Sequence, residues 1–344
     1  MVRTRGYRVD VYRNGARYKE LKCIGPPRID ANSEASIKMS MTGTFLYDED
    51  VDYLNDQLKA YVIIDGVESA IGLFEIAAKE DSYTEYRTHQ IQLECYDQCY
   101  ILSGTRTENI LHLSAGTNYL TAVQQLLTTA GIILYISTPT SATLTTDRED
   151  WEVGTDYLTI INQLLNEINY ENIWFNAEGF AVLEPVQPLS AISIDHQYNS
   201  NDNLSILQTS LTATTDLYDK PNVFIVICSN PDLEVPMTAV AVNDSPLSDL
   251  SVFKRGRRIS QVYKVDNIAN QIALEDYAQR LCNNSIFQSE VVTIETAITT
   301  GHGINDIVAI DHPLISGIFR ETAWSMSLGI DGSMSHTLQR VIMV

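Results

Sequence analysis

The densest group of side chains able to do chemistry lies in "GHGINDIVAIDH", which holds His302, Asp306, Asp311 and His312. Imidazoles and carboxylates at this density suit a metal-assisted hydrolase or a general acid–base pair, provided the fold makes them converge and supports them with further partners. The same segment also reads as a turn entering a strand, with glycines supplying the unusual dihedrals. A hydrolytic reading predicts a cleft uniting His302, Asp306 and Asp311. Asp195 and His196 precede the polar loop "NSNDN", which imitates a calcium loop, but its oxygen spacing departs from an EF-hand and the closing Glu is missing. Cys95 and Cys99 stand four apart in "LECYDQCY", with no second pair to complete a zinc site. The odd total of five cysteines fits reduced, mostly buried thiols better than a disulfide framework. There is no Gly-x-Ser-x-Gly elbow, phosphate loop, dinucleotide fingerprint or His-Glu-x-x-His. These residues assign no catalytic, cofactor or metal site, and they point away from an enzyme.

The elements that would position such residues belong to a chain of 344 residues, long enough for two or three cores. No stretch approaches the roughly 20 apolar residues of a membrane helix; "NVFIVICS" has the length of a buried strand. The N-terminal "MVRTRGYRVDVYRNGARYK" alternates polar and apolar residues and lacks the apolar block of a secretory signal. Membrane insertion is therefore not expected. A formal charge of −21 disfavours nucleic-acid binding, which needs phosphate-neutralising Lys and Arg. The charge is uneven: residues 1–22 carry seven basic against two acidic side chains, and "KRGRR" (Lys254–Arg258) forms a second basic island. Such polarity can orient a subunit against a partner.

Asn14-Gly15 and Asp65-Gly66 are strong hairpin signals, flanked by strand-like runs over residues 6–25 and 60–83. In "EASIKMSMTGTFLY", Ala35, Ile37, Met39 and Met41 alternate with Ser36, Lys38, Ser40 and Thr42, a strand with one wet face. Two stretches then share eight of twelve positions: "GTNYLTAVQQLL" (116–127) and "GTDYLTIINQLL" (154–165). Leu120, Val123, Leu126 and Leu127 share one helical face, as do Leu158, Ile161, Leu164, Leu165 and Ile168. Thr117 and Thr155 are expected to cap these helices, which end at Gly131 and near Asn169. A hairpin turning at "NAEG" follows, then a polar stretch with a short helix, a buried strand at 223–228, and a turn-rich segment over 230–260. A third helix is expected over 267–282, with Ile268, Ile272, Leu274, Ala278 and Leu281 as its apolar positions. The tail returns to strands, with a bulge expected where Met334, His336, Leu338 and Val341 break alternation.

The expected fold is mixed α+β and mainly β: two tube-like antiparallel β-barrel domains flanking a mixed domain that contains amphipathic helices. The expected limits are 1–100 for the first tube-like domain, 101–190 for the mixed domain and 191–344 for the second tube-like domain, with helix 267–282 inserted.

Three segments carry a family resemblance. "EASIKMSMTGTFLYDEDVDYLNDQLKAYVIIDGVESAIGLFEI", with a helix-like "LNDQLKAYVIIDG", resembles the opening of tail hub proteins from phages and prophages of Gram-positive bacteria. "LLNEINYENIWFNAEGFAVLEPV" and "HPLISGIFRETAWSMSLGIDGSMSHTLQRV" are similar to two later parts of that family. The resemblance implies a baseplate hub in a phage tail, prophage particle or contractile injection system. Such a hub is a homotrimer whose six tube-like domains meet the tail tube protein, with the central spike protein beneath. Tape measure and baseplate wedge proteins are further implied partners, and the implied location is the virion tail, assembled in the bacterial cytoplasm. The strands around Ser36–Thr42 and Ser325–Leu328 would face the tube, and the basic Arg3–Arg17 segment would face an acidic neighbour. A chain ending at Val344 would lack the peptidase, muramidase or fibre-binding extensions of longer relatives. The alternatives are a six-fold distal tail adaptor and, less well supported, a tail-associated hydrolase.

Overall fold

At Asn14-Gly15 and Asp65-Gly66 the backbone turns through left-handed dihedrals, with φ of 51° and 76° at the first and 52° and 81° at the second. Two-residue turns of this hand match the twist of the strands they join. The computed structural model describes residues 4–83, 88–149, 151–187, 193–199, 207–215, 220–228, 236–265, 267–287, 290–329 and 331–341. These turns join β1 (Arg5–Arg13) to β2 (Ala16–Glu20) and β5 (Gln57–Ile64) to β6 (Val67–Tyr83). With β3 (Arg28–Asn32), β4 (Met39–Leu46) and β7 (His89–Tyr96), the strand order is β3-β4-β7-β6-β5-β1-β2. The chain beyond β2 then crosses to β4. Ile24 N–H donates to the Thr44 carbonyl and Leu46 N–H to that of Lys22, both at 2.8 Å, with Cys23 bridged to Phe45. Six strands thus close on themselves and remove their own edges. Inside lie Val9, Val11, Met41, Phe45, Leu58 and Phe74.

Two sequence expectations change here. The helix-like "LNDQLKAYVIIDG" is a turn followed by β5, because Leu58, Ala60 and Val62 bury with period two. Lys38, expected on a wet face, is only 4% exposed. The strand begins at Met39, and the Lys38 ammonium donates to the carbonyls of Ser33 and Ala35 at 2.7 and 2.6 Å, holding the preceding turn.

The middle of the chain holds α1 (Cys99–Gly104), α2 (Tyr119–Thr129), β8 (Tyr135–Ser137), α3 (Tyr157–Glu167), β9 (Trp174–Phe175) and β10 (Ala181–Leu183). The duplicated sequence writes the same helix entrance twice. At α2, Gly116 N–H donates to the Leu144 carbonyl, Leu144 N–H to that of Thr117, and Tyr119 N–H to that of Ala142. At α3, Gly154 N–H donates to Thr107, Thr107 N–H to Thr155, and Tyr157 N–H to Thr105. Each entrance therefore locks onto one extended strand segment, and Gly116 and Gly154 take φ of 82° and 92° to allow it. The caps are Asn118 and Asp156, one residue after the expected threonines. Their carboxamide and carboxylate oxygens accept first-turn amides, whereas the Thr155 hydroxyl donates to the Glu152 carbonyl. Both helices bury their apolar faces in one cluster with Trp151, Tyr170 and Phe175. They end as expected, with Gly131 and Asn169 at positive φ.

The remaining elements are β11 (His196–Asn199), β12 (Leu207–Thr215), β13 (Val223–Cys228), β14 (Met237–Val242), α4 (Val252–Arg255), β15 (Ser260–Val265), α5 (Gln271–Phe287), β16 (Glu290–Ala297), β17 (Ile307–His312), β18 (Ile315–Ser327) and β19 (Ser333–Val341). Here β12 stands within the polar stretch where a short helix was expected, and β14 within the turn-rich segment. α5 starts later than expected because the Asn270 side chain accepts from Ala273 N–H and leaves Ile268 outside the helix. Leu274, Ala278, Cys282 and Ile286 pack into the cluster that holds α2 and α3. The bulge falls on β18, between Glu321 and Ala323.

The outer strands form one sheet. β12-β16-β19-β18 continues into β3 through an antiparallel pairing of Ala323–Ser327 with Arg28–Asn32, while the first half of β18 pairs with β17, and β17 with β11. Ser40, Asp30, Ser325 and Ser335 are successive partners across four of these strands. The two stretches named above as tube-facing therefore flank β3 in a single sheet.

Candidate functional site

The chemistry-bearing residues of the C-terminal strands meet at β11, β18, β19 and the loop that enters β17. Alternation along β19 points Met334, His336 and Leu338 inward. Register places His336 beside Trp324 of β18, and Glu321 is carried to the same interior by the bulge. The loop from Thr299 to Asp306 turns at Gly301 and Asn305, with φ of 86° and 64°, and delivers His302 and Asp306.

Glu321 is the centre. One carboxylate oxygen lies 2.6 Å from His302 Nδ1 and the other 2.5 Å from His336 Nδ1. The outer nitrogens are also engaged: His336 Nε2 lies 2.7 Å from the Thr296 hydroxyl, and His302 Nε2 lies 2.9 and 3.0 Å from those of Tyr198 and Thr299. The side chains of Glu321 and His336 are fully buried, and that of His302 is 1% exposed. His196 stacks on His302 with centroids 3.7 Å apart and pairs with Asp306 at 3.1 Å. Asp306 also accepts from Gly303 N–H at 2.7 Å.

Burial pushes the Glu321 carboxyl up, but hydrogen bonds and charge from His302 and His336 outweigh it and hold the group below the usual carboxylate range. Burial depresses the His302 imidazole, reinforced by the neighbouring imidazoles and opposed by Glu321. For His196 burial acts downward, yet Asp306 and the other carboxylates leave it raised.

Two triads have the residue types and spacing to be tested as metal sites: His196, His302 and Asp306, and His302, Glu321 and His336. In the second, imidazole nitrogens lie 2.5 and 2.6 Å from the carboxylate oxygens. Ligand bonds of about 2.1 Å to one ion would hold such atoms farther apart, so these are proton-bridged contacts. In the first, the stacked rings are nearly parallel, at 10°, and their lone pairs do not aim at a common point. The arrangement fits a hydrogen-bonded brace better than a metal centre. A cleft of about 500 Å³ opens nearby, lined by the Thr299–Gly303 loop, Asn176 and Ile71, but the His302 ring is turned into the brace.

Of the residues singled out in the sequence, the structure unites His302, Asp306 and His196. Asp311 and His312 lie away from them at the end of β17, paired with Ser316 and Ile315 across the hairpin. The predicted convergence of Asp311 on the cleft is therefore incorrect. Glu321 and His336 were missed, although a histidine at an inward position of an alternating strand was a readable signal. Most of "NSNDN" lies outside the described residues. Cys95 and Cys99 point into different cores, and burial raises both thiols, Cys95 to about 12.

No protein-family model and no curated protein sequence matches the chain. Solved structures do. A tail protein from Neisseria meningitidis superimposes with a TM-score of 0.69 at 14% identity, covering 97% of both chains. A 43 kDa tail protein of prophage MuSo2 from Shewanella oneidensis gives 0.68 at 11% identity, over 97% of this chain and 98% of that one. An E. coli component of the type VI secretion system, described as structurally similar to the T4 tail proteins gp27 and gp5, gives 0.56 at 8% identity, over 96% and 77%. At such identities the likeness establishes architecture, and over nearly its whole length this chain has the fold of prophage tail proteins.

Proposed function

We propose that the chain is the structural hub of a phage-tail or tail-like baseplate, a three-subunit ring that adapts a six-fold tail tube to a three-fold central spike. The observation that carries this reading is the β3–β18 seam, which fuses the strands of the two ends of one chain into a single sheet. With the first set of strands closed into a barrel and the second wrapped around its own core of Val292, Ile294, Val308, Phe319 and Leu338, one chain offers two tube-like units. Three copies about a three-fold axis offer six, which answers the mismatch between tube and spike. The shared fold with tail proteins and with the type VI component supports the same role. On this reading the tube, spike, tape measure and wedge proteins are its partners and the virion tail its location. The buried His–Glu–His network serves as a brace within the second unit.

Light scattering over a range of concentrations, with negative-stain averages of the same sample, tests the reading. A particle of three times 38.5 kDa with a central opening and a pseudo-six-fold outline is expected. A hexamer would favour the distal tail adaptor, and a chain that stays monomeric even with its spike would refute the hub.

A further inference from the structure

The three-stranded sheet β14-β13-β15 has one covered face and one open face. Phe224, Val226, Ala239 and Ala241 point to the core shared with α5. On the opposite face Val240, Ile225 and Val262 are direct cross-strand partners. Val240 and Val262 are 56% and 54% exposed, and the segment joining β14 to β15, which includes α4, carries Leu247 and Phe253 at 65% and 75% exposure. Scattered single apolar residues need no explanation, but a contiguous apolar sheet face does. Its rim is basic. Lys264 follows Val262 on the same face, and Arg257 and Arg258 stand exposed just before β15, while the exposed Lys254 pairs with Asp249 at 2.7 Å. Residues 236–265 carry five basic against two acidic side chains, within a chain of net charge −21.

The opposite pattern occurs on the first barrel. The segment 48–56, "DEDVDYLND", holds five acids and no base. Within it Leu54 is 91% exposed, and Glu49, Asp50 and Asp52 are exposed in the same loop. This is an apolar knob in an acidic collar, and the sheet is an apolar face in a basic collar. Asp48 and Asp50 pair with Lys19, and Asp56 with Arg13. The Asp52 carboxylate accepts from Leu54 N–H and the Asn55 side chain, at 3.1 and 2.7 Å, and keeps its charge beside Leu54, with Glu49 exposed in the same collar.

We infer that the Leu54 loop of one copy docks on the Val240–Ile225–Val262 face of the next copy. The contact joins two different surfaces, so it is head-to-tail and builds a ring when its rotation closes. It rests on the hub reading and names the junction that would hold that ring. Apolar burial supplies the attraction, and the matched collars set register and exclude like-charged docking.

The full-length chain with Val240→Asp or Leu54→Asp tests this, with circular dichroism confirming the fold, since both side chains are exposed. Each variant is expected to raise the concentration needed for assembly on the order of thirty-fold or more, as loss of a central contact does. The decisive step is mixing. Val240→Asp keeps a good loop and Leu54→Asp keeps a good face, so together they form one intact junction and a one-to-one dimer. Trimers that persist in both variants overturn the inference and leave the hub standing. A monomeric Val240→Asp beside a trimeric Leu54→Asp overturns the choice of the acidic loop. A wild-type chain that is monomeric throughout counts against the ring and the contact together.

Discussion

Glu321 is a buried carboxylate between two imidazoles, and its removal isolates the worth of the brace. Glu321→Gln keeps the volume but loses the charge and one acceptor, leaving an inward imidazole N–H without its partner. A hydrogen bond to a buried charged group contributes about 1.5–3 kcal/mol, and with two imidazoles bonded to this carboxylate a loss of about 3 kcal/mol is expected at pH 7 by denaturant titration. The pH dependence has a defined sign. Because the folded-state pKa of Glu321 is lowered, its contribution is present above the unfolded carboxylate value of about 4.3. It is lost as pH falls through the folded value, so the gap between wild type and variant closes on the acid side. A gap below 1 kcal/mol at pH 7 would mean that the network is not a brace. At this scale the sequence was only half legible. His302 and Asp306 were visible because one loop carries both, and His196 because it adjoins Asp195. Alternation along the last strand marks His336 as inward, but its meeting with Glu321 depends on the β18–β19 register and a bulge, which local spacing does not write.

The elements were more legible than the site, for reasons that lie in local chemistry. Asn-Gly and Asp-Gly turns, glycine-terminated helices and the strand at 223–228 need no tertiary information. By contrast, β5 alternates too weakly to exclude a helix until its neighbours are known, and the helix entrances were misplaced by one residue because Thr, Asn and Asp are all good caps. The two caps now make a prediction through their different partners. The Asp156 carboxylate accepts from Thr159 N–H at 2.8 Å and from the Thr159 hydroxyl at 3.0 Å. Asn118 accepts from Leu120 and Thr121 N–H, and its amide also donates to the carbonyls of Thr140 and Ala142 at 2.8 and 3.1 Å. Asp156→Ala is expected to cost about 1 kcal/mol, the usual worth of a cap. Asn118→Ala should cost more, because it also releases two carbonyls of the segment that locks the helix entrance. Equal losses in parallel urea titrations would show that this entrance segment holds without Asn118.

For the whole molecule, the question is whether the two ends of the chain are one cooperative body. Trp324 is the residue to ask. It belongs to β18, among the C-terminal strands, yet its ring is buried in the core of the first barrel together with Met326, Leu328 and Met334. Its neighbours in the sheet are Ala31 on one side and His336 on the other, and its indole N–H donates to the Gly303 carbonyl at 2.9 Å. It therefore touches the first barrel's interior, the seam strand β3 and the loop that delivers His302. Trp324→Ala removes a large buried side chain and is expected to cost about 3–5 kcal/mol. The informative readout is where the loss is felt. If the seam makes one cooperative unit, amide exchange accelerates in both β4 and β16, which lie on either side of the seam, and denaturant unfolding keeps a single transition. If exchange quickens in β4 alone while β16 keeps its protection, the ends are separate domains that merely share an edge. On the proposed hub reading, load passing from tube to spike favours the first arrangement, since a ring of six independently unfolding units is only as strong as its least stable member.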